Sequence, residues 1–234
     1  MKTDIEVKFE WGAEGIIHLR PWADVIIIVD VMSFSTCVDI VLSKNSIVYP
    51  YRFKDQSALN LAHEKKAALA VARGQPGFTL SPVSLVQFPK NSALVLPSPN
   101  GATLSLISSK SVVMNGCLRN AASVATMAAK LGRKIAIIAA GERWANDTLR
   151  VAYEDLVGSG AIIHGINGVK SVEAAFASLA FKNSVNNNFK DLINCATSIE
   201  LSRHGYAGDV EIALQYNVSN VAPILQEQYF KNSK

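Results

Sequence analysis

Cysteine is scarce in this sequence, and the positions of the few cysteines exclude several kinds of site. Cys37, Cys117 and Cys195 lie far apart, without the paired spacing of a zinc site or a redox motif. Their odd number also argues against a disulfide framework, so we predict free thiols. Only Cys117 falls near the functional edge inferred below, and there a small apolar filler is favoured over a catalytic thiol.

Long apolar runs and clustered charge are absent as well. No apolar stretch approaches the roughly 20 residues needed to cross a bilayer, and the first residues, MKTDIEVKFEW, carry charges throughout. The 23 basic and 19 acidic residues leave a net charge of +4, but they are scattered and form no basic run with interleaved aromatics. We therefore expect a cytoplasmic protein that binds neither membranes nor nucleic acid.

Several common catalytic motifs are missing too. The chain has no GxxxxGK[ST] phosphate loop, no GxSxG nucleophile elbow, and no second histidine at metalloprotease spacing after His63. The glycines at 158 and 160 lack the third glycine of a dinucleotide site. Aspartate-nucleophile phosphatases carry a second aspartate two positions after the first, and Met32 stands there after Asp30.

What the sequence does contain is a buried strand that ends in an acid. The run VIIIV at 25–29 has no polar alternation, which is typical of a central strand of a parallel sheet with helices on both faces. Asp30 follows it directly, and the hydroxyl-rich SFST at 33–36 opens a predicted helix. Ligands of open α/β sheets bind at this carboxyl edge, where helix N-termini attract anions.

The same pattern recurs along the chain. Apolar stretches end at Asn100-Gly101, at Cys117 to Asn120 and at Gly141, and a helical pattern follows each of them. If these strands are parallel neighbours, their ends converge with Asp30 on one edge of the sheet. With 234 residues and 49% hydrophobic content, the chain can form one α/β domain over 1–234, or two intimately packed lobes.

Further predicted elements are less regular. We expect strands at 5–11, 46–51 and 67–73, a loop from Gly74 to Pro82, and a final strand or arm at 221–225. The helical predictions comprise 36–43, 55–66, 148–166, 171–181, the stretch near 187–203, and 209–217.

These features together resemble the 2-phosphosulfolactate phosphatases, or ComB-like proteins. The resemblance rests on seven short blocks in register over nearly the whole chain: DVMSFST at 30–36, GFTLSP at 77–82, SPNGA at 98–102, NGCLRNA at 115–121, AAGE at 139–142, YEDLVGSGAII at 153–163 and RHGYAGDVEIA at 203–213. It implies a three-layer α/β/α architecture with a mostly parallel central sheet that can include antiparallel strands. It also implies a Mg²⁺ ion and the removal of phosphate from a small acidic phosphoester.

One departure from the family concerns the substrate. Ser33 stands where the family usually has an arginine, a natural partner for an anionic substrate group. A serine cannot replace the bidentate guanidinium clamp, so the second anion of the substrate must be bound differently or is not a sulfonate. Arg119 and Arg143 are then the best remaining cations. The loop at 77–82 is also shorter than usual, and SPNG replaces a more common TTNG.

The candidate metal ligands are carboxylates. Asp30 is predicted to bind Mg²⁺ or, alternatively, to cap the following helix. Glu154 and Asp155 point roughly 100° apart on their helix, so we expect one of them to face the site. Asp209 is a plain helix cap from its pattern, and the family resemblance alone makes it a candidate ligand. His204 is interpreted as structural, with proton transfer as the alternative.

The candidate groups for phosphate are hydroxyls, amides and backbone N–H groups. Ser33, Ser35 and Thr36 could bind phosphate or cap the helix, and Asn100-Gly101 could approach phosphate through its backbone or form an ordinary turn. Gly141 and Arg143 complete this set. Asn120 is a helix cap or a combined cap and ligand, and we group it with Asp30 and Arg119 as the candidate catalytic residues.

The sequence thus predicts a Mg²⁺-dependent phosphatase acting on a small anionic phosphorylated substrate, 2-phosphosulfolactate or a related hydroxy acid. In this hypothesis, metal, helix N-termini and an arginine stabilise charge on the phosphate. A diverged anion-binding protein on the same scaffold is the alternative, and an unrelated doubly wound enzyme is a weaker one. If the chain forms a homodimer, Trp11, Trp22 and Tyr49-Pro50-Tyr51 are candidates for its surface.

Overall fold

The computed structural model of the protein describes residues 4–107 and 110–233. Its strands are β1 (Glu6–Trp11), β2 (Val25–Val29), β3 (Ile47–Tyr51), β4 (Ala68–Leu69), β5 (Ala93–Pro97), β6 (Val112–Gly116), β7 (Lys134–Ala139), β8 (Glu142–Arg143), β9 (Leu149–Arg150), β10 (Val169–Lys170), β11 (Pro223–Gln226) and β12 (Tyr229–Asn232). Its helices are α1 (Gly12–Leu19), α2 (Phe34–Leu42), α3 (Gln56–Lys65), α4 (Pro82–Leu85), α5 (Gly101–Ser105), α6 (Ala121–Leu131), α7 (Tyr153–Gly165), α8 (Val172–Asn186), α9 (Lys190–Ile193), α10 (Ala196–Arg203) and α11 (Ala207–Ala213), with a 3₁₀ turn at Leu118–Asn120.

One large sheet organises the described residues. Its strand order is β10-β1-β7-β2-β6-β11-β12-β3-β5-β4. The strands from β10 to β6 are all parallel, and so are β3, β5 and β4. The hairpin of β11 and β12 lies between these two parallel groups and pairs antiparallel with both. This confirms the predicted α/β class with a mostly parallel, mixed sheet.

Strand β2 is covered on both faces, as its unbroken apolar run predicts. Val25, Ile27 and Val29 belong to the core that contains residues of α6, α7 and α8. Ile26 and Ile28 belong to the core on the other face, with residues of α1 and α5. Helices therefore pack against both faces of the sheet, which agrees with a three-layer α/β/α arrangement.

The predicted convergence of strand ends is confirmed for three neighbouring strands. Val29 of β2 lies in register with Gly116 of β6 and with Ala139 of β7, so the chain leaves all three strands at one level. Strand β5 is not a neighbour of this group, since β11, β12 and β3 separate it from β6. Helix α5, which follows β5, nevertheless contacts β2 and β6 and brings Asn100 and Gly101 to the same edge.

Helix α7 approaches the sheet closely at a glycine. A Cβ atom on Gly158 would lie 2.5 Å from Cγ2 of Val31 and 3.2 Å from Cγ1 of Val29. A larger residue would hold the helix away from β2. Because Glu154 and Asp155 lie about one turn before Gly158, this contact sets them beside the end of β2.

Several element predictions need correction. The strand expected at 67–73 is reduced to β4, with an isolated bridge from Val71 to Thr79. The helix expected to begin at 148 begins at Tyr153, because residues before it form the β8–β9 hairpin. Helix α1 was not predicted, and the stretch near 187–203 forms two helices, α9 and α10. The strand or arm expected at 221–225 is confirmed as strand β11, but it is not the final strand, because β12 follows and pairs with it.

The predicted absence of a membrane span agrees with the structure, since no helix among the described residues is long and apolar enough to cross a bilayer. The cytoplasmic location and the homodimer stay predictions. Aromatic residues proposed for a dimer surface have partners within the chain: Lys8 Nζ lies 4.4 Å from the ring centroid of Trp22, and the rings of Tyr49 and Tyr229 are 5.6 Å apart.

Candidate active site

Four carboxylates meet at the carboxyl edge of β2 and β7, and we call them the acid cluster: Asp30, Glu142, Glu154 and Asp155. Asp30 follows β2, Glu142 opens β8, and the other two lie in the first turn of α7. Asp30, Glu154 and Asp155 are only 6%, 2% and 3% exposed. Each of the pKa shifts described below includes repulsion from Asp30 or Glu154, so the members lie close enough to disfavour one another's charge.

Asp30 links two helix N-termini. Its Oδ1 accepts a hydrogen bond from the backbone N–H of Phe34 at 3.1 Å, and its Oδ2 accepts one from Gly101 at 2.8 Å. Burial raises the pKa of Asp30 to about 6; the two N–H groups oppose that shift, and the charge of Glu154 adds to it. The structure therefore shows the capping role that the sequence left open, while the metal-ligand role stays a prediction.

Gly101 makes the second of these bonds feasible. A Cβ atom at this position would lie 2.7 Å from Oδ2 of Asp30 and 2.5 Å from Cδ1 of Phe34. Both distances are too short for any side chain, so only glycine lets the start of α5 approach the carboxylate.

Asp155 is likewise held by a backbone hydrogen bond to each of its carboxylate oxygens. Its Oδ1 accepts the N–H of Val31 at 2.7 Å and its Oδ2 accepts the N–H of Gly141 at 2.9 Å, which ties together the segments that follow β2 and β7. Burial raises the pKa of Asp155 well above its ordinary value, with further contributions from the charges of Glu154 and Asp30. Its hydrogen bonds make Asp155 a structural bridge between the two strand ends.

Glu154 and Glu142 make no hydrogen bonds of this backbone type among the described residues. Oε2 of Glu154 lies 3.4 Å from Sγ of Cys195, and Oε2 of Glu142 accepts a hydrogen bond from Nδ2 of Asn100 at 3.0 Å. Burial and the charges of Asp30 and Glu154 raise the pKa of Glu142 to about 7. The sequence analysis expected one acid of α7 at the site and overlooked Glu142, although its place just after the end of β7 is the same signal that singles out Asp30.

Most of the groups predicted to bind phosphate already have partners inside the protein. Ser35 Oγ accepts the N–H of Asp30 at 2.8 Å, Thr36 Oγ1 donates to the carbonyl of Val31 at 2.8 Å, and both residues are fully buried. The N–H groups of Gly101 and Gly141 are donated to the carboxylates described above. In the structure these groups support the acid cluster, and their predicted contact with phosphate stays a prediction.

Arg119 and Asn120 also have structural partners. Arg119 Nε lies 2.8 Å from Oδ2 of the fully buried Asp39, and its Nη1 contacts the side chain of Gln215. Asn120 Oδ1 accepts the N–H of Cys117 at 2.9 Å, whereas its Nδ2 is buried without a partner in the described part of the chain. The structure thus places Arg119 in an ion pair rather than in the acid cluster.

Two further candidates lie elsewhere. Arg143 projects from the β8–β9 hairpin and donates to the carbonyl of Asp147 at 2.8 Å. Asp209 is buried, and its Oδ1 accepts hydrogen bonds from Ser81 Oγ at 2.5 Å and from the N–H of Val83 at 3.0 Å. Its Oδ2 lies 3.4 Å from Nη2 of Arg73. An oxygen that contacts a guanidinium is poorly placed to bind a metal as well, so the structure does not bring Asp209 into the acid cluster.

The cysteines behave as predicted. All three are buried and make no disulfide. Burial raises the pKa of Cys117 to about 12, which keeps the thiol protonated and favours the filler interpretation over a catalytic one.

A cavity of about 400 Å³ opens beside the acid cluster. It is lined by Met32, Arg73, Glu142, Thr197, Glu200, Leu201, His204 and Tyr206. Arg73 was not among the predicted site residues, although it ends the strand predicted at 67–73; the structure places it in a turn just after the bridge at Val71. Its Nη2 donates to Ser33 Oγ at 2.9 Å, so a guanidinium reaches the residue where the resemblance had suggested that one was missing.

The carboxylate oxygens of the acid cluster are the type of ligand that a hard divalent cation prefers. Mg²⁺ prefers carboxylate oxygens and keeps several of its waters, so one or two protein ligands suffice. None of the salt bridges between described residues neutralises a member of the cluster, and their mutual repulsion is what a cation would relieve. Across 4–107 and 110–233 there is, however, no ready-made set of three or more His, Cys, Asp or Glu ligands. A metal ion bound at the acid cluster would need water and substrate oxygens to complete its coordination shell.

Comparison with known proteins places this fold and site in one family. The family model described as 2-phosphosulpholactate phosphatase matches residues 15–228. The chain therefore belongs to the 2-phosphosulfolactate phosphatase family, which confirms the resemblance drawn from the sequence blocks.

A curated relative gives a finer comparison. The 2-phosphosulfolactate phosphatase of Methanothermobacter thermautotrophicus is 30% identical to this chain over 153 residues. The match covers 65% of this chain and 64% of the relative, so slightly less than two thirds of the relative's length is spanned.

Proposed function

We propose that this protein is a Mg²⁺-dependent phosphatase that hydrolyses a small acidic phosphoester, with 2-phosphosulfolactate as the leading candidate substrate. Family membership supports the reaction class. The observation that carries the proposal is the buried acid cluster opening, through Glu142, on a cavity that also contains Arg73. Perturbed carboxylates beside a cleft are characteristic of functional sites.

Asp30 and Glu154 are the proposed metal ligands. In the described part of the chain Glu154 makes a single weak contact, with a thiol, and each oxygen of Asp30 keeps a lone pair beyond its backbone hydrogen bond. A bound Mg²⁺ would neutralise phosphate oxygens and lower the pKa of a bound water. Asp155 holds the segments after β2 and β7 in place, so that the two ligands meet at one level.

Glu142 is the proposed proton-transfer group. It lines the cavity, and its pKa of about 7 lets it give a proton to a leaving alkoxide or take one from water near neutral pH. Asn100 orients it through the hydrogen bond to Oε2. General acid–base catalysis of this kind contributes about 10²- to 10⁴-fold to a rate.

Water is the proposed nucleophile. Both oxygens of Asp30 are engaged by backbone N–H groups and the residue is almost fully buried, which disfavours its direct attack on phosphorus. A rapid-quench experiment tests this point, because a phosphorylated enzyme trapped during turnover would establish the covalent route instead.

The overall proposal is tested by phosphate release from 2-phosphosulfolactate in Mg²⁺ and in EDTA. We expect release that depends on Mg²⁺ and falls by about 100-fold or more in Asp30→Asn, the scale of losing one key electrostatic group. Asp147→Asn is the matched control, since Asp147 is 91% exposed on the β8–β9 hairpin. Equal release by the Asp30 variant, or in EDTA, would contradict the proposal; binding of the phosphoester without any release would favour the anion-binding alternative.

A further inference from the structure

The cavity beside the acid cluster has a cationic wall built around Arg73. The Arg73 side chain is 28% exposed, and its guanidinium carbon lies 4.8 Å from the ring centroid of Tyr206. Among the described residues only Nη2 has hydrogen-bond partners, namely Ser33 Oγ and Oδ2 of Asp209. Nε is buried and has no partner within the described ranges. A guanidinium has five N–H donors, so Arg73 is underused by the protein itself.

The position of Arg73 is fixed by its contacts with Asp209 and Tyr206. Asp209, which contacts Nη2, is 1% exposed and is held by Ser81 and by the backbone of Val83. Stacking on Tyr206 restrains the plane of the guanidinium on another side. A cation held in this way loses little conformational entropy when it binds a ligand, which is the condition for a strong anion site.

Charged groups of both signs line the cavity. Glu142 and Glu200 are acidic, and Glu200 is already paired with Arg150 at 2.9 Å, whereas Arg73 supplies a guanidinium. An anion cannot approach uncompensated carboxylates unless a metal is present, whereas Arg73 can bind an oxyanion directly. A substrate that carries two anionic groups can therefore be oriented with one group at a metal held by the acid cluster and the other at Arg73.

We propose that Arg73, together with the hydroxyl of Ser33, binds the second anionic group of the substrate, a carboxylate or sulfonate, while the phosphate lies at the acid cluster. This inference rests on the proposed function, because it assumes that the acid cluster is where phosphate is cleaved. In this arrangement Arg73 determines the substrate specificity, and the acid cluster supports hydrolysis of the phosphoester.

The test uses three phosphoesters that differ in their other charges. 2-Phosphosulfolactate carries a carboxylate and a sulfonate, 2-phospholactate lacks the sulfonate, and isopropyl phosphate lacks both. We expect Arg73→Gln to lower the ratio of kcat/KM for 2-phosphosulfolactate to that for isopropyl phosphate by about 10- to 100-fold, the scale of a lost charge-assisted bidentate contact. The loss is expected mainly in KM. The result for 2-phospholactate then shows which of the two groups Arg73 binds.

Two further variants keep the result interpretable. Arg73→Lys retains a charge beside Asp209 but lacks the planar fork, so an intermediate ratio is expected even if the glutamine variant is unstable. Arg203→Gln removes a positive charge from an exposed position of α10 that does not line the cavity, and it should leave the ratio within about twofold of wild type. An equal loss on all three substrates would mean that Arg73 binds the phosphate, and no loss would remove it from the site; either result overturns the inference.

Failure of the proposed function would be visible separately. If the wild-type protein hydrolyses none of the three esters, calorimetric binding of sulfolactate, which has no phosphate, tests the anion site alone. Binding that is lost in Arg73→Gln would keep the second-anion site while removing the phosphatase proposal. Binding that is unchanged in the variant, or absent from wild type, would overturn the site.

Discussion

Buried acids occur in two different settings in this protein, and the contrast between them bears on the proposed functional region. Asp39 and Asp209 each lie within salt-bridge distance of an arginine, Arg119 and Arg73 respectively, and each also accepts a serine hydroxyl. Within 4–107 and 110–233, the acid cluster has only backbone N–H groups, a thiol and an amide as its hydrogen-bond partners. The first setting neutralises buried charge, and the second leaves it to be neutralised by something else.

The contrast supports the proposal that the acid cluster, rather than the paired acids, holds the cation. Burying a carboxylate without a counter-charge costs several kcal/mol or raises its pKa until it is protonated, and burial raises the pKa of Asp30 and Glu142 to about 6 and about 7. Burial also raises the pKa of Asp39, but there the hydroxyl of Ser219 and the charge of Arg119 oppose the shift. Natural sequences keep such groups where they are used for binding or catalysis. The paired acids have a counter-charge within the protein, whereas we propose that the acid cluster receives one from a bound cation.

The largest effect is expected from breaking a paired acid. Arg119→Gln leaves Asp39 buried without its cation and should lower the free energy of unfolding by about 3 to 5 kcal/mol, measured by urea denaturation. The double variant Asp39→Asn with Arg119→Gln should recover part of this loss, because no unpaired charge remains. Arg143→Gln, in the exposed hairpin, is the control and should cost less than about 1 kcal/mol. Similar losses for the two arginines would contradict the assignment of Arg119 to a buried pair.

The complementary experiment supplies the acid cluster with a cation. Mg²⁺ at 100 times its Kd should stabilise the protein by about 2.7 kcal/mol. For a chain of this length that raises Tm by about 5 to 10 °C. Asp30→Asn should lose most of this shift and Asp147→Asn should retain it, because only Asp30 belongs to the cluster. A shift of equal size in both variants would show that Mg²⁺ binds elsewhere.

A smaller effect is expected from disturbing the backbone support of Asp30. Gly101→Ala places a Cβ atom against Phe34 and Asp30 Oδ2, so the free energy of unfolding should fall by about 1 to 3 kcal/mol. Gly208→Ala is a matched control: its Cβ would meet only Cγ2 of Val83, at 3.1 Å, and that side chain is 51% exposed and can move. If both substitutions are neutral by thermal denaturation, the contact between α5 and Asp30 is looser than the structure shows.

The smallest effect concerns pH. Because the pKa of Glu142 is raised to about 7, the folded state holds this proton more tightly than the unfolded state between about pH 4.5 and 7. The contribution of Glu142 to stability is therefore lost as the pH rises through that window. In EDTA, Glu142→Gln should be more stable than wild type at pH 8 by on the order of 1 to 2 kcal/mol and should match it near pH 4.5.

Exposed Glu211→Gln is the control for the pH experiment and should leave the pH profile of stability unchanged. A wild-type profile that is flat from pH 4.5 to 8, or one that Glu142→Gln does not alter, would mean that Glu142 is better solvated than its burial indicates.

Much of the frame could be predicted from local patterns. The unbroken apolar run at 25–29 predicts strand β2 and its burial on both faces. A strand without polar residues is typical of a parallel sheet covered by helices on both sides. Asp30 was identified as important for the same reason. The antiparallel β11–β12 hairpin in the middle of the sheet was not predicted, since short strands of mixed polarity do not reveal their neighbours.

The candidate site was predicted less completely. Glu142 and Arg73 were not among the predicted site residues. The structure pairs Arg119, Arg143 and Asp209 with other charged side chains, and their predicted roles in the site stay predictions. Charge type can be read from a sequence, but the partner of a charge depends on contacts between residues far apart in the chain. Arg73 contacts Asp209 across a separation of 136 residues, and Val31 contacts Asp155 across 124.

The amino-acid sequence by itself determined the class of fold, the strand that delivers Asp30, and membership of the 2-phosphosulfolactate phosphatase family. Hydrophobic periodicity and short blocks of sequence are local properties, so they can be recognised without knowing the structure. Only the tertiary structure decided which buried acids are neutralised by arginine and which are left together without one. That distinction is a matter of distances between side chains brought together by folding, because electrostatic energy depends on separation and burial rather than on order along the chain.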